Sequence, residues 1–172
     1  MADADRTVDQ YWAEVYDRVE TQRDDVALLR TLIRERASLR ILEPFCGNGR
    51  ILIPLAEDGH ELVGMDRSEA MLEAGRGKIS GLPDGVRQRI TLRLADVTAE
   101  EWPRGFDVVV LGANCFYELA SAQAQEGCIR SAAAALVPGG RVFVTLIYQV
   151  DAGCRRLLWV GLRRTQRTFR HP

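Results

Sequence analysis

Acidic residues and glycines recur in this chain where short apolar runs end. Glu43-Pro44-Phe45-Cys46-Gly47-Asn48-Gly49 closes the run that begins at Arg40. Gly47 and Gly49 permit a tight turn and a close approach of backbone to a ligand. Free N–H groups at the start of a following helix favour a carboxylate or a phosphate. Asp66 ends a second run and lies about 20 residues beyond the glycine turn, where a carboxylate can accept both hydroxyls of a ribose. Asp96, in Ala95-Asp96-Val97, ends a third run and can accept from the exocyclic amino group of an adenine. Ala95 and Val97 would add backbone groups and apolar contact. Each feature has a plainer reading: an ordinary strand-to-helix turn, a helix-capping acid beside Ser68, a surface aspartate. Their common location is the stronger argument, because open α/β sheets bind ligands at the carboxyl ends of their strands.

The elements that would position these residues follow from the apolar spacing. Thr7-x-x-Gln10 resembles a capping box, and Val8, Tyr11, Val15 and Val19 follow at helical spacing. A second helix starts near Asp24 or Asp25, with Val26, Leu29, Ile33 and Ala37 on one face. Strands are expected at Arg40–Glu43, Glu61–Asp66, Ile90–Ala95, Phe106–Leu111 and Val142–Ile147. Helices are expected between them: one to about Asp58, bent by Pro54, one capped by Ser68 and fraying near Gly75 and Gly77, and one over Ser121–Val137. Pro138-Gly139-Gly140 reads as a turn. Strands alternating with helices predict an α/β fold with a doubly wound, mostly parallel sheet. Residues 1–172 read as a single domain: an N-terminal helical segment over 1–39, a ligand-binding core over 40–147 and a basic tail over 148–172.

In order, Ile41 to Gly49, Asp66, Asp96, Phe106-Asp107-Val108-Val109-Val110 and Leu136-Val137-Pro138-Gly139-Gly140-Arg141-Val142 resemble the motifs of class I (Rossmann-like) S-adenosylmethionine-dependent methyltransferases. The resemblance runs from about Arg40 to Ile147. It implies S-adenosyl-L-methionine as cofactor and methyl transfer to an acceptor, with a small molecule as the default. It also implies roles. Glu43 helps hold the amino group of the methionine moiety, and Phe45, Gly47 and Gly49 line its floor. Asp66 binds the ribose, Arg67 or Met71 lies beside the adenine, and Asp96 with Val97 meets the adenine edge. Asn114 stands near the methionine moiety and the transferable methyl. Tyr11 and Tyr16 match aromatic positions that cover this cofactor. The chain departs from the family at two places. Phe45 stands where the first motif glycine is usual. The family sheet has seven strands, whereas this one is expected to be truncated after strand five, with a helix over Asp151 to Leu162. An uncovered fifth strand would need the tail or a second chain as its cover, which favours a homodimer.

Other classes are set aside on composition. Net charge is -1, which argues against nucleic acid and an anionic membrane as partners. The four cysteines form no C-x-x-C pair and only two histidines exist, so no metal site is expected. No apolar run approaches the ~20 residues of a membrane span, and the polar start lacks a signal-peptide core. A cytoplasmic location with reduced thiols is the expectation. Asn114-Cys115-Phe116-Tyr117 lacks both prolines of the N-P-P-Y element that it faintly resembles, so no nucleic-acid or protein acceptor is inferred. Glu118 and His60 are the available candidate bases. Two alternatives stand beside methyl transfer. One is a truncated cofactor-binding protein with little or no catalysis. The other is a nicotinamide-dependent oxidoreductase, which expects a third glycine where Leu52 stands.

Overall fold

The computed structural model describes residues 7–21, 23–34, 37–151 and 154–163. Six strands form one sheet: β1 (Arg40–Pro44), β2 (Glu61–Asp66), β3 (Ile90–Leu94), β4 (Phe106–Leu111), β5 (Leu136–Asp151) and β6 (Cys154–Arg163). Their order is β3-β2-β1-β4-β5-β6. Neighbours among the first five run parallel, and β6 runs antiparallel to β5. The helices are α1 (Val8–Val19), α2 (Asp24–Ile33), α3 (Leu52–Glu57), α4 (Glu69–Ser80), α5 (Asp84–Arg87) and α6 (Ala122–Ala135).

Successive residues of a strand face opposite sides of the sheet. Here that rule divides the apolar residues into two cores. Ile41, Val108, Val110 and Phe143 join Val26, Leu29, Leu52 and Leu55 from α2 and α3. Leu42, Val109, Leu111, Val142 and Val144 join Cys128, Ala132 and Ala135 of α6. β4 is therefore buried on both faces, which is why it reads as an almost unbroken apolar run.

The structure revises several expectations. The chain after β5 does not form the expected helix over Asp151 to Leu162 but the antiparallel strand β6, paired with β5 from Arg141↔Arg163 to Asp151↔Cys154. The tail is thus the cover of the β5 edge, and the argument for a second chain at that edge is removed. The parallel sheet does stop at strand five, as expected. Pro138-Gly139-Gly140 lies within β5 at a shift of register, where Phe106 pairs with Leu136 and Val108 with Arg141. Gly139 has φ +82, and a Cβ on Gly140 would stand 3.1 Å from the carbonyl oxygen of Asp107. The three residues are an expansion of the strand rather than a turn ahead of it.

Pro54 costs α3 no hydrogen bond within the helix. It is the third residue of that helix, and the first four N–H groups of a helix have no partner within it. Gly75 and Gly77 do not fray α4, which runs on to Ser80. A Cβ on Gly75 would lie 3.3 Å from the backbone of Asn48, so this glycine lets α4 pack against the turn after β1. Ala37 lies outside α2 and is exposed. α1 has the expected capping box, with Thr7 and Gln10 bonded reciprocally. It buries no residue, however, and Val8, Tyr11, Trp12 and Val19 are exposed.

Gly64, in the middle of β2, is packed tightly on three sides. A Cβ there would stand 2.6 Å from Leu52 Cδ1, 2.7 Å from Cys46 Sγ and 2.9 Å from Leu92 Cδ2. Three neighbours on different elements leave no direction for relief. Gly64→Ala is expected to cost about 1–3 kcal/mol of stability, the usual cost of overpacking a core. Chemical denaturation checks it, and an unchanged midpoint would show that the three side chains can yield.

Candidate functional site

The carboxyl ends of β1, β2, β3 and β4 open to one side, and the described non-glycine residues with left-handed backbone all lie there, together with two glycines that share it. Phe45 (φ 66), Gly47 (φ 52) and Gly49 (φ 82) follow β1, and Ala113 (φ 52) and Asn114 (φ 69) follow β4. Left-handed backbone costs a residue with a Cβ about 1 kcal/mol or more, and it persists where the surroundings enforce it. Phe45 thus adopts the conformation that a glycine would supply. At Gly47 a side chain would meet a second cost, since its Cβ would stand 2.9 Å from Met71 Cε, which would have to move.

Asp66 ties the crevice together. Its Oδ2 accepts the N–H of Gly47 at 2.8 Å and its Oδ1 the N–H of Ser68 at 2.9 Å. It therefore fixes the glycine turn and opens α4, while Ser68 caps α4 by accepting from Met71. Each carboxylate oxygen keeps a second acceptor direction for a ligand hydroxyl. The carbonyl of Asp66 accepts the N–H of Ala95 at 2.9 Å, which sets Asp96 beside it. Asp96 Oδ1 accepts from the hydroxyl and the N–H of Thr98, at 2.6 and 2.9 Å. These bonds hold its carboxyl below the usual aspartate range, with Arg67 adding to the effect. Arg67 is exposed, whereas Met71 and Val97 are buried. An open cleft of about 770 Å³ runs beside the amino end of α4, between that helix and α1.

Glu43, near the end of β1, is buried with its Oε2 lacking any hydrogen-bond partner among the described residues. Burial pushes its carboxyl well above the usual range. The Arg50 guanidinium opposes that shift, Asp25 and Asp66 add to it, and the N–H of Leu52 opposes it weakly. Arg50 grips Asp25 of α2 through two hydrogen bonds, Nη1 to Oδ1 at 2.8 Å and Nη2 to Oδ2 at 2.6 Å, with both side chains almost wholly buried. Asn48, buried in the turn, donates to Asp17 of α1 at 3.1 Å. Lys78 of α4 also reaches Asp17, at 2.6 Å.

Sequence reasoning placed Glu43, Phe45, Gly47, Gly49, Asp66, Asp96, Val97 and Asn114 at the strand ends or in the turns that follow them, and Met71 on the helix capped by Ser68, and the structure sets them there. Tyr11 is 52% exposed on α1, and that helix reaches the glycine turn through Asp17 and Tyr16. Arg50, Asp25, Asn48 and Asp17 were not singled out; nothing in their local spacing distinguishes them. Thr145 of β5 was missed as well: its buried hydroxyl accepts the N–H of Ala113 at 3.0 Å and so holds the turn after β4. In that turn Phe116 and Tyr117 stack edge to face, and Tyr117 and Glu118 are exposed. His60 is not at the site. It is buried at the amino end of β2, the opposite side of the sheet, where its Nδ1 accepts the N–H of Leu39.

A parallel sheet wound on both faces, a glycine turn after β1, acids ending β2 and β3, and a Pro-Gly-Gly expansion in β5 define a class I methyltransferase fold. Residues 42–142 match the family model described as a methyltransferase domain, and the chain belongs to that family. It is 33% identical over 118 residues to the ubiquinone biosynthesis O-methyltransferase of Pseudomonas putida (strain GB-1), covering 67% of this chain and 48% of that protein. The CcbJ methyltransferase from Streptomyces caelestis superposes with a TM-score of 0.71 at 28% identity, covering 79% of this chain and 55% of that one. The glycopeptide N-methyltransferase MtfA complexed with S-adenosyl-L-methionine superposes with a TM-score of 0.66 at 25% identity, covering 80% and 65%. The chain spans about half the length of the curated relatives it matches. The family that matches is a methyltransferase family, not a nicotinamide-dependent one. Among the described residues no helix is long and apolar enough to cross a membrane.

The buried carboxyl of Glu43 has a consequence for stability. Its proton is held more tightly in the folded chain than in the unfolded one. The unfolded chain loses it first as pH rises above about 4.3, so this group's contribution falls with rising pH until the folded form also ionises. Glu43→Gln is therefore expected to stabilise the ligand-free protein at pH 8, and by less at pH 4. Thermal melts across that range check it; a destabilised variant at pH 8 would show that the buried carboxylate is satisfied.

Proposed function

We propose that this chain binds S-adenosyl-L-methionine in the crevice at the carboxyl ends of β1 to β4 and transfers its methyl group to a small-molecule acceptor. The observation that carries this reading is the buried carboxyl of Glu43, one oxygen of which has no partner among the described residues, beside the glycine turn. A buried acceptor without a donor costs stability unless a ligand supplies the donor. The amino group of the methionine moiety is such a donor, reached directly or through water.

The other residues fit the rest of that ligand. Phe45, Gly47 and Gly49 bring the backbone close beneath the methionine moiety. Asp66 would accept from the ribose hydroxyls, and Asp96 from the adenine amino group, with Arg67, Met71 and Val97 around the ring. Asn114 stands after β4, where the left-handed backbone at Ala113 and Asn114 turns the chain across the crevice. Tyr11 would come over the ligand from α1. When bound, the sulfonium supplies an activated methyl group, which an acceptor nucleophile takes in line while the sulfur keeps the bonding pair. The residues bind, orient and exclude water, and such positioning can supply much of the acceleration. The exposed Tyr117 and Glu118 border the side from which an acceptor would come. The relatives named for ubiquinone and glycopeptide methylation support a small or peptide-borne acceptor. The free thiols of Cys46, Cys115 and Cys128 suit the reducing cytoplasm.

S-adenosylmethionine or S-adenosylhomocysteine at ~100-fold its dissociation constant is expected to add ~2.7 kcal/mol of stability. Absence of any binding heat or melting shift with both ligands would refute the reading. A turnover assay with acceptor mixtures then separates an enzyme from a cofactor-binding protein.

Asp66→Ala is expected to weaken cofactor binding by roughly 10-fold or more, a lost hydrogen bond to a charged group being worth about 1.5–3 kcal/mol. It also strands the N–H groups of Gly47 and Ser68, so the melting temperature should fall, although the domain should stay folded. Titration of the folded variant decides the matter, and wild-type affinity would leave Asp66 as a clasp of the turn alone.

A further inference from the structure

Arg50 is the most deeply placed cation of the site, and the reading above gives it no task. It follows Gly49 directly, its side chain is 3% exposed, and its guanidinium is locked by both oxygens of Asp25. The hydroxyl of Tyr16 lies within its hydrogen-bonding reach. One side chain thus touches α1 and α2 and lies close enough to Glu43 to act on its charge. A clasp between helices needs no ion pair, since a buried pair is seldom more stabilising than apolar residues of the same size. A cation beside a buried acid does change what that acid can bind.

We propose that Arg50 is a positioning residue for the cofactor's amino group: held between Asp25 and Tyr16, it makes ionisation of Glu43 attainable when a cationic amine arrives, and so links cofactor affinity to the docking of both N-terminal helices. The inference rests on the cofactor reading above. Glu43 ionised would be a lone buried anion with Asp25 and Asp66 both disfavouring it, and Arg50 is the cation that opposes them. The groups acting on one another around it are Tyr16 from α1, Asp25 from α2, Cys46 and Arg50 from the glycine turn, Asp66 from β2 and Cys115 after β4. Without Arg50 only anionic or neutral groups among these remain. Glu43 would then keep its proton to higher pH, and its neutral form is a poorer partner for an ammonium.

Two ligands separate this role from a general one. S-adenosylhomocysteine carries the amino-acid moiety, and 5′-methylthioadenosine lacks it while keeping the ribose and adenine. Both are titrated calorimetrically from pH 5.5 to 9 into the full chain, as wild type, Arg50→Lys, Arg50→Met and the double variant Asp25→Leu/Arg50→Met. The double variant replaces the ion pair by apolar bulk, so it folds even where the single Met variant leaves Asp25 stranded. The expected result is a roughly tenfold or greater loss of S-adenosylhomocysteine affinity at pH 7 for Arg50→Met, and a smaller loss for the double variant, which also removes the anion Asp25 that disfavours an ionised Glu43. In both, binding should set in at higher pH, and methylthioadenosine affinity should stay within about twofold of wild type. Arg50→Lys, which keeps the charge, should retain the wild-type pH onset. Wild-type affinity and pH profile in the double variant would overturn the proposal, leaving the pair as a clasp. A parallel loss of both ligands would overturn it too, as would an Arg50→Lys profile that follows the double variant. If wild type binds neither ligand, the cofactor reading itself fails, an outcome distinct from all of these.

Discussion

A carboxyl group with no donor among the described residues for one of its oxygens, buried near the end of a central strand, is the constraint from which the rest of this site follows. Burying Glu43 disfavours its ionised form. Nothing in the packing requires an acid there; an apolar residue would extend the run Ile41-Leu42. The cost is tolerable because the neighbourhood is polar in a directed way. Arg50 stands close enough to act on its charge, and the N–H of Leu52 is turned toward it. The same neighbourhood explains the two N-terminal helices. α2 is joined to the turn by the Asp25–Arg50 pair, and α1 by Asn48–Asp17. Helix α1 has no buried residue of its own, so polar contacts to the turn and to Lys78 carry much of its attachment.

The second organising feature is Asp66, which does two tasks with one carboxylate. By accepting from Gly47 and Ser68 it fixes the left-handed turn and the first turn of α4 against each other. The backbone position that a ligand's ribose would read is thereby set by the same group that would read it. Preorganisation of this kind lowers the ordering cost of binding. The turn after β4 is held in a similar way, by the buried hydroxyl of Thr145 on the neighbouring strand.

The sheet was legible in the sequence because its strands are short apolar runs bounded by turn residues. β2 and β4 fall at the expected residues, Glu61–Asp66 and Phe106–Leu111. The ligand-facing acids were legible because they stand at the ends of those runs. The chain beyond Asp151 was not, since a run such as Leu157-Leu158-Trp159-Val160 between arginines fits a helix face or a strand equally well. What decided it was the open edge of β5, a tertiary fact. Arg50 was illegible for a related reason. An arginine after a glycine turn reads as surface, and its partner Asp25 reads as an acid in a helix's first turn. Only the fold brings the two together in the interior. Pro54 and Gly75 were misread because their tolerance depends on position: the first turn of a helix for one, a close backbone approach for the other.

The most direct test of this account is the titration of Glu43 itself. Carbon-13 NMR of side-chain-labelled glutamate, assigned to Glu43 by its loss in Glu43→Gln, would follow this carboxyl with and without S-adenosylhomocysteine. The account predicts a midpoint well above the ordinary glutamate range in the free chain and a fall toward that range when the ligand binds, with a proton released. An ordinary midpoint in the free chain, or one that S-adenosylhomocysteine binding leaves unmoved, would contradict it.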